Sequence, residues 1–570
     1  MKKFKALKNL LPIVVILAMV AGSMAGCVVI EKATSSKEIT TTTAEEATKE
    51  QTQKNQEATA KKDDIPAYIN ATGFPITKEK VALKLMGSKS PLHGEWKDME
   101  VFKRMEKLTN ISFDFDTPLA TGYPEKKSLT FASGDYPDVF YQGGITIQDE
   151  ETYGPQGVFL QLDKYIDKYG PYIKKILTEN PDIRKAITAT DGHIYSLPYI
   201  VRTKTVAANI LYINMEWLAN VGMSKPTTVD QFYDVLKAFK EKDPNGNSKN
   251  DEIPLSYWKQ NPAGAGSIGG ILHPIFYAAF SGQAGGAGFD LVGNKVVFNP
   301  VQPAFKDYLA YMRRLYSENL LDHDMFTQTM QQYIAKYKEG TMGISAISLS
   351  SSLNPGQSAP YELISPLTSA SNNKKVTAEY PGVFTGSFAL TNKCKYPEAM
   401  IRWADVFFRK VDENVEGICG LSNFLGILDY NWYFDDASRK TYTRESKVEG
   451  LNPVEYISKH VMPGGFGWVV TDAVPNTDPL LLLKATESEK QYFPYTIPVY
   501  PNTVRFTKEQ AERMNFLKND INTYVEQMIA KFIIGEEPLD KWDSYVNTVK
   551  SIGLDELTKI IQDGYDKWNR

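Results

Sequence analysis

Between Val81 and Tyr141 the chain alternates between two hydrophobic periods, and that alternation limits the folds open to it. Val81-Ala82-Leu83-Lys84-Leu85-Met86 reads as a strand, and Asp98 to Leu108 carries apolar residues at helical spacing. Ile111-Ser112-Phe113-Asp114-Phe115 alternates strictly and is a second strand. Pro124 to Ala132 is a helix, and Asp138-Val139-Phe140-Tyr141 is a third strand after the turn at Ser133-Gly134. Strand–helix–strand–helix–strand implies a parallel sheet wrapped by helices. The expected class is therefore α/β.

Further elements follow. Ile210 to Ile213 is a short strand, Glu216 to Val221 a helix, and Thr228 is an N-cap for a helix from Val229 to Lys240. Ala304 to Glu318 is amphipathic, Gly343 to Ile347 and Val383 to Leu390 are strands, and Pro397 to Arg409 is a helix with proline in its first turn. The C-terminal region is helical: Lys508 to Ile534, then Pro538 to Val549, then about Asp555 to Trp568. No internal repeat is visible. The folded body holds about 500 residues, too many for one hydrophobic core, so two lobes are expected.

The N-terminus carries an export signal. Lys2, Lys3, Lys5 and Lys8 precede the apolar run Leu10 to Val20, and small residues lead to Met24-Ala25-Gly26-Cys27. The run falls short of the roughly 20 apolar residues of a membrane span. Ala-Gly-Cys resembles the lipobox of bacterial lipoproteins, with Met24 where leucine is usual. That resemblance implies that Cys27 becomes the acylated N-terminus, carrying chains such as palmitate; the rival is a plain secreted protein. From Glu31 to Asp64 the composition of Thr, Ser, Lys, Glu, Gln and Ala cannot bury enough apolar surface to offset ordering entropy, so it reads as a tether. The other two cysteines, Cys394 and Cys419, are expected as free buried thiols rather than a bridge. A formal charge of −4 argues against nucleic-acid binding.

The strongest chemical motif is Asp243-Pro244-Asn245-Gly246-Asn247-Ser248-Lys249-Asn250-Asp251-Glu252. Oxygen side chains recur at every second position, Asp243, Asn245, Asn247 and then Asp251, with Glu252 adjacent and the Lys249 carbonyl available between. Calcium takes six to eight oxygens at about 2.3–2.6 Å, and a tight loop of this spacing can wrap it. The pattern is EF-hand-like in its first half but lacks that motif's later glycine and glutamate. The ion would be structural. The alternative is an Asx-rich turn that ends the preceding helix.

Gly264-Ala265-Gly266-Ser267-Ile268-Gly269 matches a dinucleotide fingerprint, but Lys259-Gln260-Asn261-Pro262 precedes it instead of a strand, so it reads as a loop. No His-x-x-x-His pair and no Gly-x-Ser-x-Gly elbow occurs. What remains is aromatic. The chain has 32 Tyr and 8 Trp, and rings can stack on the C–H face of a sugar while polar groups bond its hydroxyl rim. Trp96 and Tyr141 follow strands at their carboxyl ends, where open α/β sheets bind ligands. Tyr123, Trp258, Trp432 and Trp468 lie near loop signals and join them as candidate sugar platforms.

The whole pattern resembles the large extracellular solute-binding lipoproteins of bacterial ABC importers, in the LplA-like branch related to alginate-oligosaccharide-binding proteins. The residues that carry it are Phe131-Ala132-Ser133-Gly134-Asp135-Tyr136-Pro137-Asp138-Val139, Asp191 to Tyr199, Leu211 to Leu218, Lys225-Pro226-Thr227-Thr228, the loop Asp243 to Glu252 with Ile253-Pro254-Leu255, and the tail Gly535 to Leu539 with Trp542-Asp543 and Gly553-Leu554-Asp555. Asn214 departs from a basic residue common in that family.

The resemblance implies a two-lobe, periplasmic-binding-protein-like fold of type II kind, a ligand cleft between the lobes and a helical C-terminal region. On that basis residues 1–26 are signal, 27–64 lipidated cysteine and tether, 65–205 the first lobe, 206–380 the second lobe with the calcium loop, and 381–570 the return that completes both. It also implies a non-enzymatic, monomeric receptor, lipid-anchored outside the cell, that delivers an oligosaccharide to ABC permease subunits, with Asp243, Asn245, Asn247, Lys249, Asp251 and Glu252 as calcium ligands. Two rivals stay open: a same-fold receptor for a peptide or other solute, and a lipoprotein glycoside hydrolase or lyase.

Overall fold

A computed structural model describes residues 65–203, 210–257, 272–286, 288–346, 360–380, 382–476 and 479–570. In chain order the strands are β1 (Val81–Met86), β2 (Ile111–Asp116), β3 (Val139–Tyr141), β4 (Ser196–Thr203), β5 (Leu211–Asn214) and β6 (Ile253–Ser256). A hairpin of β7 (Phe289–Val292) and β8 (Lys295–Phe298) precedes β9 (Met342–Ser345) and β10 (Tyr361–Ile364). Then come β11 (Thr377–Ala378), β12 (Val383–Leu390), β13 (Trp432–Phe434), β14 (Thr441–Arg444), β15 (Gly467–Thr471), β16 (Val474–Pro475) and β17 (Thr496–Ile497).

The first sheet has the order β15-β4-β12-β3-β1-β2. The expected parallel unit is present, with β1 between β2 and β3 and parallel to both. β12 runs antiparallel between β3 and β4, so the sheet as a whole is mixed. The second sheet has the order β10-β5-β9-β6, with β6 parallel to β9 and the other pairs antiparallel.

Each sheet has its own core. Leu83, Leu85, Met105, Ile173, Phe388, Trp403 and Phe407 are among the buried residues of the first. Ile213, Phe239, Leu255, Phe276, Phe305 and Ile344 belong to the second, which the C-terminal helices complete through Val525, Phe532 and Tyr545. At roughly 1.5–3 kcal/mol per fully buried large apolar side chain, these cores dominate the stability of the two lobes.

The chain links the lobes three times: from β4 to β5, from β10 back to β12, and from β15 to helix Pro479–Gln491, which packs on β10. Residues 65–570 together form one compact unit.

Local chemistry explains the helix ends. Thr228 Oγ1 accepts the Gln231 N–H at the start of helix Val229–Glu241. Helix Lys508–Ile534 begins with a capping box of Thr507 and Gln510 and stops at Gly535, whose φ of 88° donates its N–H back to Lys531. Cys394 and Cys419 are both free and buried. No helix among the described residues is long and apolar enough to cross a membrane.

Candidate functional site

The first sheet narrows at one end. β3 stops at Tyr141, which lies opposite Phe388 of β12. β12 and β4 continue past it, with Phe384 opposite Tyr199 and Val383 opposite Ile200, and β15 flanks β4 with Gly467 opposite Tyr199. Register shifts between Phe384 and Phe388, a bulge centred near Gly386. Gly386 has φ 73°, and a Cβ there would collide with the Ile145 carbonyl. The Ile145 N–H donates to the Gly386 carbonyl at 3.2 Å, tying the loop after β3 to the bulge.

Beyond the end of β3 the continuing strands carry a face of half-buried rings. Tyr199 and Phe384 have centroids 6.1 Å apart, and Tyr380, in the connection just before β12, lies 5.8 Å from Phe384. The position is outside the carboxyl ends of β1, β2 and β3, where open α/β sheets bind ligands. Polar groups lie at the carboxyl end of β3 and in the loop after β1. Gln142, at φ 47°, donates its Nε2 to the Pro463 carbonyl at 2.7 Å and to the Gly464 carbonyl. Asn423 is buried; its Oδ1 accepts the Tyr141 hydroxyl at 3.4 Å, while its Nδ2 has no hydrogen-bond partner. His93, in the loop after β1, is lowered to about 4 by burial and by Lys89, so it is neutral at pH 7.

The aromatic residues expected as sugar platforms are mostly elsewhere. Trp96 is 1% exposed: it packs edge-on to Tyr141 at 5.7 Å and stacks on Phe102 at 6.1 Å. A short 3₁₀ turn, Trp96–Asp98, folds its indole against Gly87 and into the first core. Tyr141 is 1% exposed in the same core. Tyr123 is buried and its hydroxyl donates to the Gly143 carbonyl at 2.7 Å. Trp432 is fully buried and its Nε1 donates to the Gly426 carbonyl at 3.0 Å. These four rings offer no free face, which corrects their assignment as platforms: they are core residues. Trp468 is half-buried and lines a cavity of about 310 Å³ with Tyr172 and Phe408. Trp258, like Cys27 and the Gly264–Gly269 motif, lies outside the described residues. Tyr199, Tyr380 and Phe384 were not expected, because only strand register shows that two of them face each other.

The loop Asp243–Glu252 folds as a tight acidic turn between helix Val229–Glu241 and β6. Asp243, Gly246 and Ser248 all take positive φ. Asp243 accepts the N–H groups of Asn247 and Ser248 at 3.1 and 2.9 Å, and Asn247 accepts that of Lys249 at 2.8 Å. Asp251 Oδ1 receives both the Asn245 and the Asn247 amides, at 3.0 and 3.1 Å. Asp243, Asn245, Asn247 and Asp251 are thus tied together within one turn, with the amide nitrogens of both asparagines on Asp251 and their oxygens on backbone N–H groups. Glu252 is 3% exposed with a buried Oε1 that has no partner. Burial, with Asp251 and Asp243 nearby, holds its carboxyl above the usual range. Among the described residues no three His, Cys, Asp or Glu side chains are gathered to hold a metal by themselves, so a cation here draws on the amide oxygens too. An orphaned, buried carboxylate oxygen beside a hard-oxygen donor set fits calcium.

Comparison with known proteins gives the family. The model for bacterial extracellular solute-binding proteins matches residues 91–410. The fructooligosaccharide ABC transporter substrate-binding protein FusA of Streptococcus pneumoniae serotype 4 is 29% identical over 525 residues, 88% of this chain and 93% of FusA. The solved structure of S. pneumoniae FusA in complex with kestose superposes with a TM-score of 0.72 at 26% identity, over 86% of this chain and 99% of that one. A FusA EF-hand mutant in complex with fructo-nystose gives the same TM-score of 0.72 at 25% identity, with the same coverage of 86% and 99%. The chain belongs to the bacterial extracellular solute-binding proteins.

Proposed function

We propose that this protein is a lipid-anchored receptor that captures an oligosaccharide between its lobes and delivers it to an ABC-type permease without chemical change to the ligand. The observation that carries the reading is the half-buried ring face of Tyr199 on β4, Phe384 on β12 and Tyr380 just before β12, with the unpartnered Asn423 amide on the hydroxyl of Tyr141 at the end of β3. Rings meet the apolar face of a sugar, and amides meet its hydroxyls. FusA, bound to kestose in its own crystal structure, supports the choice of ligand class.

Asp243, Asn245, Asn247, Lys249 through its carbonyl, Asp251 and Glu252 would hold a calcium ion, and the FusA EF-hand mutant supports such a site in relatives. Calcium, when bound, supplies a structural clamp on the loop that joins helix Val229–Glu241 to β6. Residues 1–26 form the signal, Cys27 carries the lipid, and residues 28–64 tether the body outside the membrane. The lobes then comprise 65–205 and 206–380, with 381–570 completing both.

The test is a thermal-shift and calorimetry screen of the protein in calcium against neutral, uronic and amino oligosaccharides and mixed peptides. A ligand at 100 times its Kd stabilises by about 2.7 kcal/mol. A shift with one glycan class, with that glycan recovered intact, is the expected result. A shift with peptides alone, or a glycan recovered cleaved, overturns it.

A further inference from the structure

Arg505 crosses from one lobe to the other. Its neighbours Tyr500 and Phe506 pack against the second core. Its own side chain, 8% exposed, enters the first lobe at helix Ile147–Tyr153. There Nη2 donates to Glu150 Oε2 at 2.8 Å and Nη1 donates to Glu151 Oε1 at 2.9 Å. The two carboxylates are 0% and 5% exposed. Nη2 also donates to the Ala186 carbonyl at 3.2 Å. A buried guanidinium shared by two carboxylates is costly to leave half-paired, so losing either carboxylate would destabilise this contact; its Nε is buried without a partner.

The chain of bonds continues toward the ring face. The Ser196 hydroxyl donates to the other oxygen of Glu150, Oε1. The same hydroxyl oxygen accepts the Gly386 N–H at 3.0 Å. Ser196 has one hydrogen to give, so engaging Glu150 turns its lone pairs toward Gly386. Gly386 is the bulge that separates Phe384, paired with Tyr199, from Phe388, and that receives the loop after β3.

We propose that Arg505 is a positioning residue for the ligand face: acting through Glu150 and Ser196, it fixes the bulge at Gly386, so that the seating of the C-terminal segment on the first lobe sets the geometry of Tyr199 and Phe384. The proposal rests on reading that ring face as the ligand site.

The experiment compares the full chain with Ser196→Ala, Arg505→Lys and the double variant. Two quantities are read: hydrogen exchange of the 383–390 segment without ligand, and kestose affinity by calorimetry. Ser196→Ala removes the acceptor for Gly386; Arg505→Lys removes the two-pronged geometry that fixes Glu150. Each single variant should speed exchange at Gly386 and weaken kestose binding about tenfold, the equivalent of roughly one hydrogen bond. The double variant should be no weaker than the worse single one, because both act on one chain. Should Arg505→Lys fail to fold, Glu151→Gln takes its place with the same expectations. Unchanged exchange at Gly386 in the Arg505 or Glu151 variant, or losses that simply add, overturns the proposal. If wild type binds no kestose, the ring-face reading fails for that sugar, and the exchange result alone decides whether Arg505 positions the bulge.

Discussion

Asp405 shows how much one buried group can do. It is 3% exposed, and its Oδ1 accepts the N–H groups of Tyr172 and Ile173, both at 2.9 Å. Those are among the first donors of helix Pro171–Glu179, so a side chain distant in sequence caps that helix. Burial pushes the carboxyl up to about 7, against the opposing pull of the two N–H groups, Arg409 and Arg402. The unfolded value is near 3.9. Between those two values the folded protein holds a proton that the unfolded chain has lost, so stability falls as pH rises from about 4 to about 7. The contribution is on the order of a few kcal/mol. Asp405→Asn keeps both accepted hydrogen bonds and removes the titration. Urea melts at pH 4.5 and 7.5 should show a smaller difference in the variant than in wild type, and an equal difference would rule out this source. None of this was legible in the sequence, where Asp405 is an ordinary acid on an amphipathic helix. Trp96 and Trp432 failed for the same reason: a residue beside a turn signal faces in or out according to tertiary packing. What residue chemistry did disclose is the pair of thiols, both free and buried as expected.

At the scale of elements the sequence was far more open. Val383–Leu390 and Lys508–Ile534 have the bounds their periodicity gives, and most other helices and strands fall within a few residues. Period and caps are local, and local signals survive in a single sequence. Pairing is not local: nothing in the run from Val383 to Leu390 shows that it lies antiparallel between β3 and β4, or that it bulges at Gly386. The loop Asp243–Glu252 is an element whose tight turn was legible, because its Asp and Asn residues repeat along the chain. Its prediction has two signs. Without calcium, Glu252 is a buried carboxylate repelled by Asp251 and Asp243. Glu252→Gln should therefore raise the melting temperature in chelator, by the equivalent of about 1 kcal/mol. If Glu252 is a calcium ligand as proposed, the same change removes it, so the calcium-induced rise should shrink, and Asp243→Ala should abolish it. Melting curves in calcium and in chelator check both; a Glu252→Gln variant with the wild-type calcium increment would remove Glu252 from the ligand set.

The whole molecule turns on where the ring face lies. Tyr199 and Phe384 sit on β4 and β12, which lead into the links between the lobes. In a hinge closure, residues near the axis move least and those at the lobe tips move most. A ring face beside the links therefore keeps its shape whether the lobes are apart or together. On the proposed reading it serves as the first docking surface, and contacts from the second lobe follow on closure. This order has a measurable consequence. A compact body of about 500 residues has a radius of gyration near 23 Å, and closure on ligand should reduce it by about 1 Å in small-angle scattering. Phe384→Ala removes part of the docking surface but no part of the hinge. It should weaken oligosaccharide binding about tenfold, in line with the loss of one stacked ring. At saturating ligand it should still compact as fully as wild type. Full compaction at higher ligand concentration separates docking from closure. A variant that binds as wild type does would remove Phe384 from the site. One that binds but never compacts would show that the ring face drives the closure itself, because the hinge would then depend on the ring that this reading places outside it.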